Sequence, residues 1–353
     1  MKVLVIGAGL IGTSIALGVK GAGGEVELID SDGRAQSLAN DLVSIDRDEE
    51  GYKGIVDPDV VVIATPTSAI KLILERYKNL YPKSTFIDIG STKTKVTSEV
   101  QSDKTLATRF VPTHPMAGRE LDGAEAAQSD LFVGKSWVIT PTGQCDSESV
   151  DRARRLIESL GAKVISMDAK DHDAAVAAVS HLPQIISSLL AGQLADKSEG
   201  QLALSGSGVI DTTRIAGSNP DLWSEILLLN RDALMPLLEN FQRDLSTFID
   251  TFDVRDVLER GREGRGRLPG KHRSASRNYT YLPIVLEDKP NQLAALFDEC
   301  ATADVNVEDI SIEHSPEQET GLVLLALSKE NAAKLQTHLL SRKWRVHPPR
   351  SEK

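Results

Sequence analysis

The chain has 353 residues, 41% hydrophobic and 26% charged, a composition ordinary for a globular protein with two or three domains and a sizeable core. Its formal net charge of -11 argues against a nucleic-acid partner and against binding to an anionic membrane surface. Cys145 and Cys300 are far apart and form no CxxC pair, so the sequence predicts a reducing, cytoplasmic location and no metal site. No uninterrupted apolar run reaches the roughly 18 residues of a membrane span, and MKVLVIGAGLIG runs into patterned sequence rather than a signal-peptide cleavage site.

Residues 1–167 alternate short runs rich in Val and Ile with helix-like segments. The runs are VLVIG, VELID, VVVIAT, STFIDIG, TRFVPTH, SWVIT and KVIS. This alternation predicts an α/β domain with a mostly parallel sheet and crossover helices.

The first turn, GAGLIG, follows a predicted strand and opens a predicted helix, which is the full context of a dinucleotide fingerprint. Gly7 allows the tight turn, Gly9 lets the backbone approach a pyrophosphate, and Gly12 lets the helix pack against the strand. The amides of the helix N-terminus favour the anion, and we include Leu10 and Ile11 in this cofactor site. We therefore expect a Rossmann-type, doubly wound domain over residues 1–167.

An acidic residue ends the next predicted strand. Asp30 lies about 20 residues beyond the glycines, where a carboxylate accepts hydrogen bonds from a ribose diol and repels a 2′-phosphate. This position favours NAD as the cofactor. Asp32 is a competing candidate, and Arg34 leaves NADP open.

Open parallel sheets bind ligands beyond the carboxyl ends of their strands, and three segments follow predicted strands there: TPT, GSTK and THP. Thr65 in the first is a candidate cofactor-wall residue or a plain helix cap. Ser91 in the second could orient a substrate or a catalytic group. His114 in the third precedes a proline, which disfavours helix and places the imidazole on an extended or turning segment.

A histidine at the end of a strand beside a nicotinamide could accept the proton of an alcohol that loses hydride. We predict this role for His114; the alternative is a surface histidine filling a turn. Glu120 lies near it by spacing alone.

Residues 168–260 lack predicted strands and carry apolar residues at spacings of three and four, which predicts an all-α domain. Asn219 followed by Pro220 is typical of a helix start. The predicted apolar stripe is too extensive for one helix lying alone on a surface and suggests a homodimer interface. Its members are Leu222, Ile226, Leu229, Leu237, Phe241, Leu245 and Phe248.

Two charged or polar side chains of this domain, His181 in SHLPQ and Arg214 in DTTRIAG, are surrounded in sequence by apolar or small residues. An unpaired charge there would be costly, so we expect an anion to meet Arg214. A substrate carboxylate could bind the guanidinium bidentately, and an internal partner such as Asp211 is an equal explanation.

The glycine-rich, basic segment 261–278 predicts a solvated linker, with a phosphate-binding patch as the alternative. Residues 279–353 read as strand, helix, strand, strand and helix. This order predicts a small α+β domain in which helices cover one face of an antiparallel sheet.

Five motifs in order, GAGLIG with Asp30, IDIGSTK, THPMAG, SHLP and DTTRIAGSNPDLW, resemble the prephenate dehydrogenase family over residues 1 to about 260. The resemblance implies oxidative decarboxylation of prephenate, or of arogenate, with NAD⁺ on the route to tyrosine. It implies that His114 is the base, that Ser91 supports its contact with the substrate hydroxyl and that Arg214 binds a substrate carboxylate. His181 would face the cleft, paired with Glu120 as a gate.

The last domain resembles an ACT regulatory domain, which implies a tyrosine or phenylalanine effector. Many such domains carry glycine after the proline at the turn into the first helix, whereas this chain has Asn291, a residue that tolerates positive φ better than most.

Two other interpretations remain open on the residues alone. One is a different Rossmann-type hydroxyacid dehydrogenase, although SHLPQIISSLLAGQLA lacks the lysine that such enzymes usually place in the helical domain. The other is a non-catalytic NAD-binding sensor of amino acids.

Overall fold

The computed structural model describes residues 1–45, 47–48, 51–52, 54–118, 122–268, 279–287, 289–313 and 320–351. The chain divides into two compact units, Met1–Ser246 and Thr247–Lys353.

The Val- and Ile-rich runs form the strands of the first unit, and a short hairpin not predicted from the sequence accompanies them. The strands are β1 (Lys2–Ile6), β2 (Glu25–Ile29), β3 (Arg47–Asp48), β4 (Gly51–Tyr52), β5 (Val60–Ile63), β6 (Thr85–Asp88), β7 (Phe110–Val111), β8 (Thr113–Pro115), β9 (Ser136–Ile139) and β10 (Lys163–Ser166).

Five of these strands form a parallel sheet in the order β2-β1-β5-β6-β7. Side chains alternate between its two faces, so Val3 and Val5 join one buried apolar cluster while Leu4 and Ile6 join another. Both faces of the sheet are therefore covered, which explains why its strands are nearly continuous apolar runs.

The predicted run TRFVPTH is divided between two sheets. Pro112 has no N–H to donate, and the parallel ladder with β6 stops at Val111. The chain continues as β8, which pairs antiparallel with β9, while β9 pairs parallel with β10. His114 thus lies within an extended strand of a second, three-stranded sheet rather than on a loop directly after the fifth parallel strand.

Helices connect the strands and pack on both faces of the parallel sheet. They are α1 (Leu10–Gly21), α2 (Gly33–Val43), α3 (Thr67–Tyr77), α4 (Thr94–Val100), α5 (Lys104–Ala107) and α6 (Ser147–Ser159), with a 3-10 turn at Ala124–Ala126.

A long apolar helical segment begins the all-α part of this unit. It consists of α7 (Ala169–Val176), a π-helical turn (Ala177–His181) and α8 (Leu182–Gly192). By length and composition alone, the segment Ala169–Gly192 could cross a membrane. It carries five buried polar side chains that hydrogen-bond within the unit.

The remaining helices of the all-α region are α9 (Glu199–Leu202), α10 (Ser207–Thr213), α11 (Pro220–Leu229), α12 (Arg231–Thr251) and α13 (Val254–Gly266), with a 3-10 turn at Arg214–Gly217. The Asn219 side chain caps α11 by accepting the N–H of Asp221 at 2.9 Å. The predicted apolar stripe runs over α11 and α12, and three of its members, Leu222, Phe241 and Leu245, are more than 40% exposed.

The domain boundaries at residues 167, 260 and 278 stay predictions, but the structure differs from them at the predicted linker. The segment 261–278 was predicted to be a linker, but α13 continues to Gly266, six residues into it. Residues 269–278 lie outside the described residues.

The second unit contains an antiparallel sheet in the order β12-β13-β11-β14. Its strands and helices after α13 are β11 (Thr280–Glu287), α14 (Gln292–Thr302), β12 (Asp309–Glu313), β13 (Thr320–Leu327), α15 (Lys329–Ser341) and β14 (Arg345–Val346). Buried side chains of both helices join one core with those of the sheet. Asn291 immediately before α14 has φ of 69°, the left-handed conformation that asparagine accepts. The α/β fold class with an all-α region and a C-terminal α+β sheet is confirmed.

Candidate active site

A cleft of about 660 Å³ opens beyond the carboxyl ends of the parallel strands, between them and the helices of the all-α region. Eight of the predicted site residues line it together: Gly9, Leu10, Ile11, Thr65, Ser91, His114, His181 and Arg214. Residues that the sequence separates by up to two hundred positions thus share one cavity. Glu120, the predicted gate partner of His181, lies outside the described residues.

The glycine turn has the geometry that the fingerprint requires. Gly7 has φ of +117°, and a Cβ there would lie 2.2 Å from the carbonyl oxygen of Ala64. A Cβ on Gly12 would lie 2.0 Å from the carbonyl oxygen of Gly7, so helix α1 packs directly against the turn. At Gly9, by contrast, an added Cβ would meet nothing within 4 Å, so the backbone is open to a ligand.

Gly9 is also the N-cap of α1 and supplies no side chain to the amides of the first turn. An open backbone and uncapped amides at a helix N-terminus fit a pyrophosphate. The residues present therefore fit a dinucleotide.

The Asp30 carboxylate is fixed at the end of β2. Its two oxygens accept the N–H groups of Ala8 at 2.6 Å and Asp32 at 2.8 Å. The Ser31 hydroxyl also donates to Oδ1 at 3.4 Å, so Oδ2 is the oxygen that retains a lone pair for a ribose hydroxyl. The competing candidate Asp32 is the N-cap of α2 and accepts the N–H of Arg34 at 2.8 Å, so it already has a structural role.

Thr65 lines the cleft, and it is not the helix cap of the alternative interpretation, because the N-cap residue of α3 is Pro66. The first turn of α3 instead meets the all-α region. Glu225 on α11 accepts the N–H of Ser68 at 2.6 Å, which ties the two walls of the cleft together.

A fully buried ion pair lies beneath the turn that carries Ser91. Lys93 and Asp88 are both 0% exposed, and the Lys93 ammonium donates to the Asp88 carboxylate and to the Thr113 carbonyl oxygen. Asp88 also accepts the N–H groups of Gly90 and Thr113. Burial lowers the pKa of Lys93, against the influence of Asp88. The pair links the Ser91 turn to the strand that carries His114.

Replacing Lys93 with Met should destabilise the first unit strongly, because the Asp88 carboxylate would remain buried without its cation. Breaking a buried pair from one side costs about 3–5 kcal/mol, which corresponds to a melting temperature lower by about 10 °C in a unit of this size. Calorimetry checks this, and the double variant Asp88→Asn/Lys93→Met should recover part of the loss. Lys2→Met is the matched control, because Lys2 pairs with Glu25 at 4.0 Å on the surface and its loss should cost under about 1 kcal/mol. Equal melting temperatures for the two single variants would contradict this account.

His114 is partly buried and belongs to a chain of hydrogen bonds. Its Nδ1 lies 2.9 Å from Nε2 of His172, and Nδ1 of His172 lies 2.8 Å from Oδ1 of Asp173. The pKa of His114 is held well below its ordinary value of 6.5, first by burial and then by the positive charge of Lys93 and by His172 and His181. His114 is therefore an unprotonated imidazole at neutral pH.

His181 lies at the end of the π-helical turn, a distortion often found at functional sites. It is 1% exposed and packs edge-on against Trp223 with ring centroids 6.0 Å apart. The Asn230 amide donates to Nδ1 of His181 at 2.9 Å, which leaves the proton of the neutral ring on Nε2. Burial lowers the pKa of His181 to about 4, so it is a neutral hydrogen-bond donor.

Arg214 lies on the 3-10 turn after α10 and is exposed at the wall of the cleft. The expectation that it sits in surroundings where a charge is costly is wrong, because the apolar residues around it in sequence do not enclose it. Two side chains of α8 hydrogen-bond the backbone on either side of Arg214. Gln184 donates to the carbonyl oxygen of Ile215 at 2.9 Å, and Ser187 donates to that of Thr212 at 2.8 Å. The cation is thus positioned on a fixed segment.

Sequence reasoning missed His172, Asp173, Gln184 and Asn230. In sequence, His172 and Asp173 resemble the solvated first turn of a helix, and Asn230 resembles a helix end. Only their contacts across the fold reveal them. The SHLPQ motif was singled out for His181, but it gave no signal for Gln184.

Together these features define a dinucleotide-dependent dehydrogenase: a Rossmann-type domain with an open glycine turn, a neutral histidine near the strand ends and a wall of helices that faces it. Two family models match the chain: "Prephenate dehydrogenase, nucleotide-binding domain" over residues 15–166 and "Prephenate dehydrogenase, dimerization domain" over residues 168–258. The chain belongs to the prephenate dehydrogenase family.

Relatives and solved structures agree with this assignment. Prephenate dehydrogenase of Lactococcus lactis is 33% identical, over 82% of this chain and 83% of the relative. The crystal structure of prephenate dehydrogenase from A. aeolicus with hydroxyphenyl propionate and NAD⁺ is 28% identical, with a TM-score of 0.66 over 75% of this chain and 96% of that chain. Synechocystis arogenate dehydrogenase is 27% identical, with a TM-score of 0.61 over 75% of this chain and 99% of that chain.

Proposed function

We propose that this protein converts prephenate to 4-hydroxyphenylpyruvate by NAD⁺-dependent oxidative decarboxylation. The observation that carries the proposal is His114, a neutral imidazole in the cleft that contains the glycine turn: its Nδ1 contacts His172, and its Nε2 has no hydrogen-bond partner among the described residues. Family membership and the relatives named above support the same reaction.

We assign the catalytic roles to His114 and Ser91 from their positions in the cleft. Nε2 of His114 accepts the proton of the ring hydroxyl as that hydroxyl becomes a carbonyl, and Ser91 supports this contact. When bound, NAD⁺ accepts the hydride from C4 of the ring. The carboxylate at the quaternary carbon then leaves as CO₂, the electrons of the broken C–C bond enter the ring, and the carbonyl oxygen becomes the phenol oxygen of the product by taking up a proton. Aromatisation drives the reaction.

Two residues of the all-α region hold the substrate. Arg214 binds a substrate carboxylate through its guanidinium. The neutral His181 donates a hydrogen bond from Nε2–H without adding a positive charge to the cleft. Positioning and orientation are the main contributions of the protein, because the ring itself supplies the driving force.

The cofactor assignment rests on the glycine turn and on Asp30. A carboxylate at the end of the second strand can accept hydrogen bonds from a ribose diol, and its charge disfavours a 2′-phosphate. NAD⁺ is therefore the cofactor, with a preference over NADP⁺ that Asp30 accounts for.

The substrate assignment is tested by following NADH or NADPH formation from the purified chain with prephenate or arogenate and with NAD⁺ or NADP⁺. Prephenate with NAD⁺ should give the highest kcat/KM of the four combinations. A higher value with arogenate would make the protein an arogenate dehydrogenase, a specificity found in the similar Synechocystis enzyme. No turnover in any combination would favour the hydroxyacid dehydrogenase or the amino-acid sensor.

Assembly and regulation extend the proposal. The exposed apolar side chains on α11 and α12, such as Leu222 and Phe241, together with the match to a dimerization domain, support a homodimer.

Both cysteines are free thiols, which supports the proposed cytoplasmic location. Binding of tyrosine or phenylalanine to the ACT-like domain, residues 279–353, should change the rate or melting temperature of the intact chain. If neither amino acid has an effect, this regulatory proposal is contradicted.

A further inference from the structure

Asp173 on α7 is a buried carboxylate that holds several parts of the cleft. It is 5% exposed, and its oxygens accept the N–H groups of Lys93 and Thr94, each at 2.8 Å, as well as the hydrogen bond from His172. Burial acts to raise the pKa of Asp173, but these hydrogen bonds outweigh burial and the pKa is lowered. Asp173 is therefore an ionised acceptor.

An ionised Asp173 determines where the protons of both histidines lie. A carboxylate can only accept, so Nδ1 of His172 must carry a proton and, in the neutral ring, Nε2 must not. That bare Nε2 lies 2.9 Å from Nδ1 of His114, which must then be the donor. The proton of His114 is on Nδ1, and Nε2 is the nitrogen with a free lone pair.

We infer that His172 and Asp173 are positioning residues that hold His114 in the tautomer able to act as a base and that stabilise its protonated form. The inference rests on the proposed function, since it gives His114 the role of proton acceptor. The proton moves from the substrate oxygen to Nε2 of His114, while Nδ1–H stays hydrogen-bonded to His172. No proton has to reach Asp173, and only a hydrogen bond strengthens as the charge develops.

Asp173 is a negative charge near His114 that stabilises the protonated form of its ring. Protonation of His114 is disfavoured by burial and by Lys93, His172 and His181. Of the groups that shift this pKa, Asp173 raises it and so favours protonation of His114. Without the carboxylate, the imidazolium formed during turnover would have no counter-charge along its chain of hydrogen bonds.

The same residue organises the opposite wall of the cleft. The backbone carbonyl oxygen of Asp173 accepts a hydrogen bond at 2.8 Å from the Asn230 amide, which also donates to His181. Through its carboxylate and its carbonyl, Asp173 thus fixes the proton positions of His114 and His181 together. Asp173 therefore connects His114, the proposed base, to His181, which is proposed to donate a hydrogen bond to the substrate.

The test uses three variants of the intact chain with two matched controls. His172→Gln retains a side-chain oxygen that can accept from His114, His172→Phe removes the acceptor, and Asp173→Asn removes the charge. Asp171→Asn removes the same charge from an exposed position of α7, and His347→Gln removes an exposed histidine in the second unit. Melting temperature and NAD⁺ affinity identify variants that fail to fold.

We expect His172→Phe and Asp173→Asn to lower kcat about 10-fold or more, as for loss of a supporting hydrogen-bond partner, with NAD⁺ affinity unchanged. His172→Gln should retain more activity than His172→Phe, and both controls should match the wild type. If Asp173→Asn does not fold, because Asn cannot accept all the N–H groups that Asp accepts, the two His172 variants decide.

A second measurement separates positioning from a merely structural role. The ¹⁵N chemical shifts of the His114 ring, assigned by their loss in His114→Asn, should show Nδ1 protonated and Nε2 bare in the wild type. Asp173→Asn should change that pattern, and Asp171→Asn should not.

Two results would overturn the inference: folded His172 and Asp173 variants with kcat within twofold of the wild type, or a His114 ring protonated on Nε2. The proposed function would be intact in both cases, because the wild type would still turn over prephenate. Absence of turnover by the wild type would instead refute the proposed function.

Discussion

His114→Asn should lower kcat by about 10²- to 10⁴-fold, the range expected for removing a positioned general base, with NAD⁺ affinity unchanged. Asparagine can still hydrogen-bond His172 but cannot accept the proton of the substrate hydroxyl. Steady-state kinetics with prephenate and a separate measurement of NAD⁺ binding check this. Exposed His347 supplies the matched control, and His347→Asn should behave as the wild type.

The pH dependence of the wild type tests the same residue. Only the unprotonated ring is active, and burial and Lys93 hold the pKa of His114 below 6.5. The value of kcat should therefore be constant from pH 6.5 upward through neutrality and fall only at more acidic pH. A kcat that keeps rising with pH between 6.5 and 8, or a His114→Asn variant within fivefold of the wild type, would exclude His114 as the base.

Arg214→Gln should raise the KM for prephenate about 10- to 10²-fold, because a charge-assisted hydrogen bond to a substrate carboxylate contributes about 1.5–3 kcal/mol. The effect should fall mainly on KM, since the carboxylate that Arg214 binds is charged before and during the reaction. Arg214→Lys keeps the charge without the planar fork and should recover only part of the affinity. The melting temperature should change little, because Arg214 is exposed.

The control for Arg214 is Arg155→Gln, which removes an exposed arginine of α6 that does not line the cleft. Its kinetics should equal those of the wild type. A KM for prephenate that is unchanged in Arg214→Gln would show that the substrate carboxylates bind elsewhere.

The outline of the fold could be predicted because local chemistry fixes it. Apolar runs rich in β-branched residues, such as VVVI, favour a strand in a sheet that is covered on both faces, and Asn219 with Pro220 favours a helix start through local contacts alone. The split of TRFVPTH between two sheets was less predictable, although Pro112 carried the signal.

Much of the cleft was predictable for a similar reason. The carboxyl ends of parallel strands meet at one edge of a sheet, so residues that follow such strands converge wherever they stand in the sequence. Thr65 and Ser91 line the cavity for that reason, and His114 joins them from β8, which begins two residues after the end of β7. Arg214 also lines the cavity, but its residue type and sequence neighbours predict burial, whereas its side chain is exposed.

The sequence by itself determined the glycine turn, the acid at the end of β2 and the candidate base, because each depends on a residue type in a local backbone context. Only the tertiary structure decided the proton positions around His114 and His181. Those depend on two bonds between distant residues: His172 lies 58 positions from His114, and Asn230 lies 49 positions from His181 and 57 from Asp173, the neighbour of His172. A hydrogen bond of 2.9 Å requires two side chains to be held in register, and packing of the whole unit, not local sequence, sets that register.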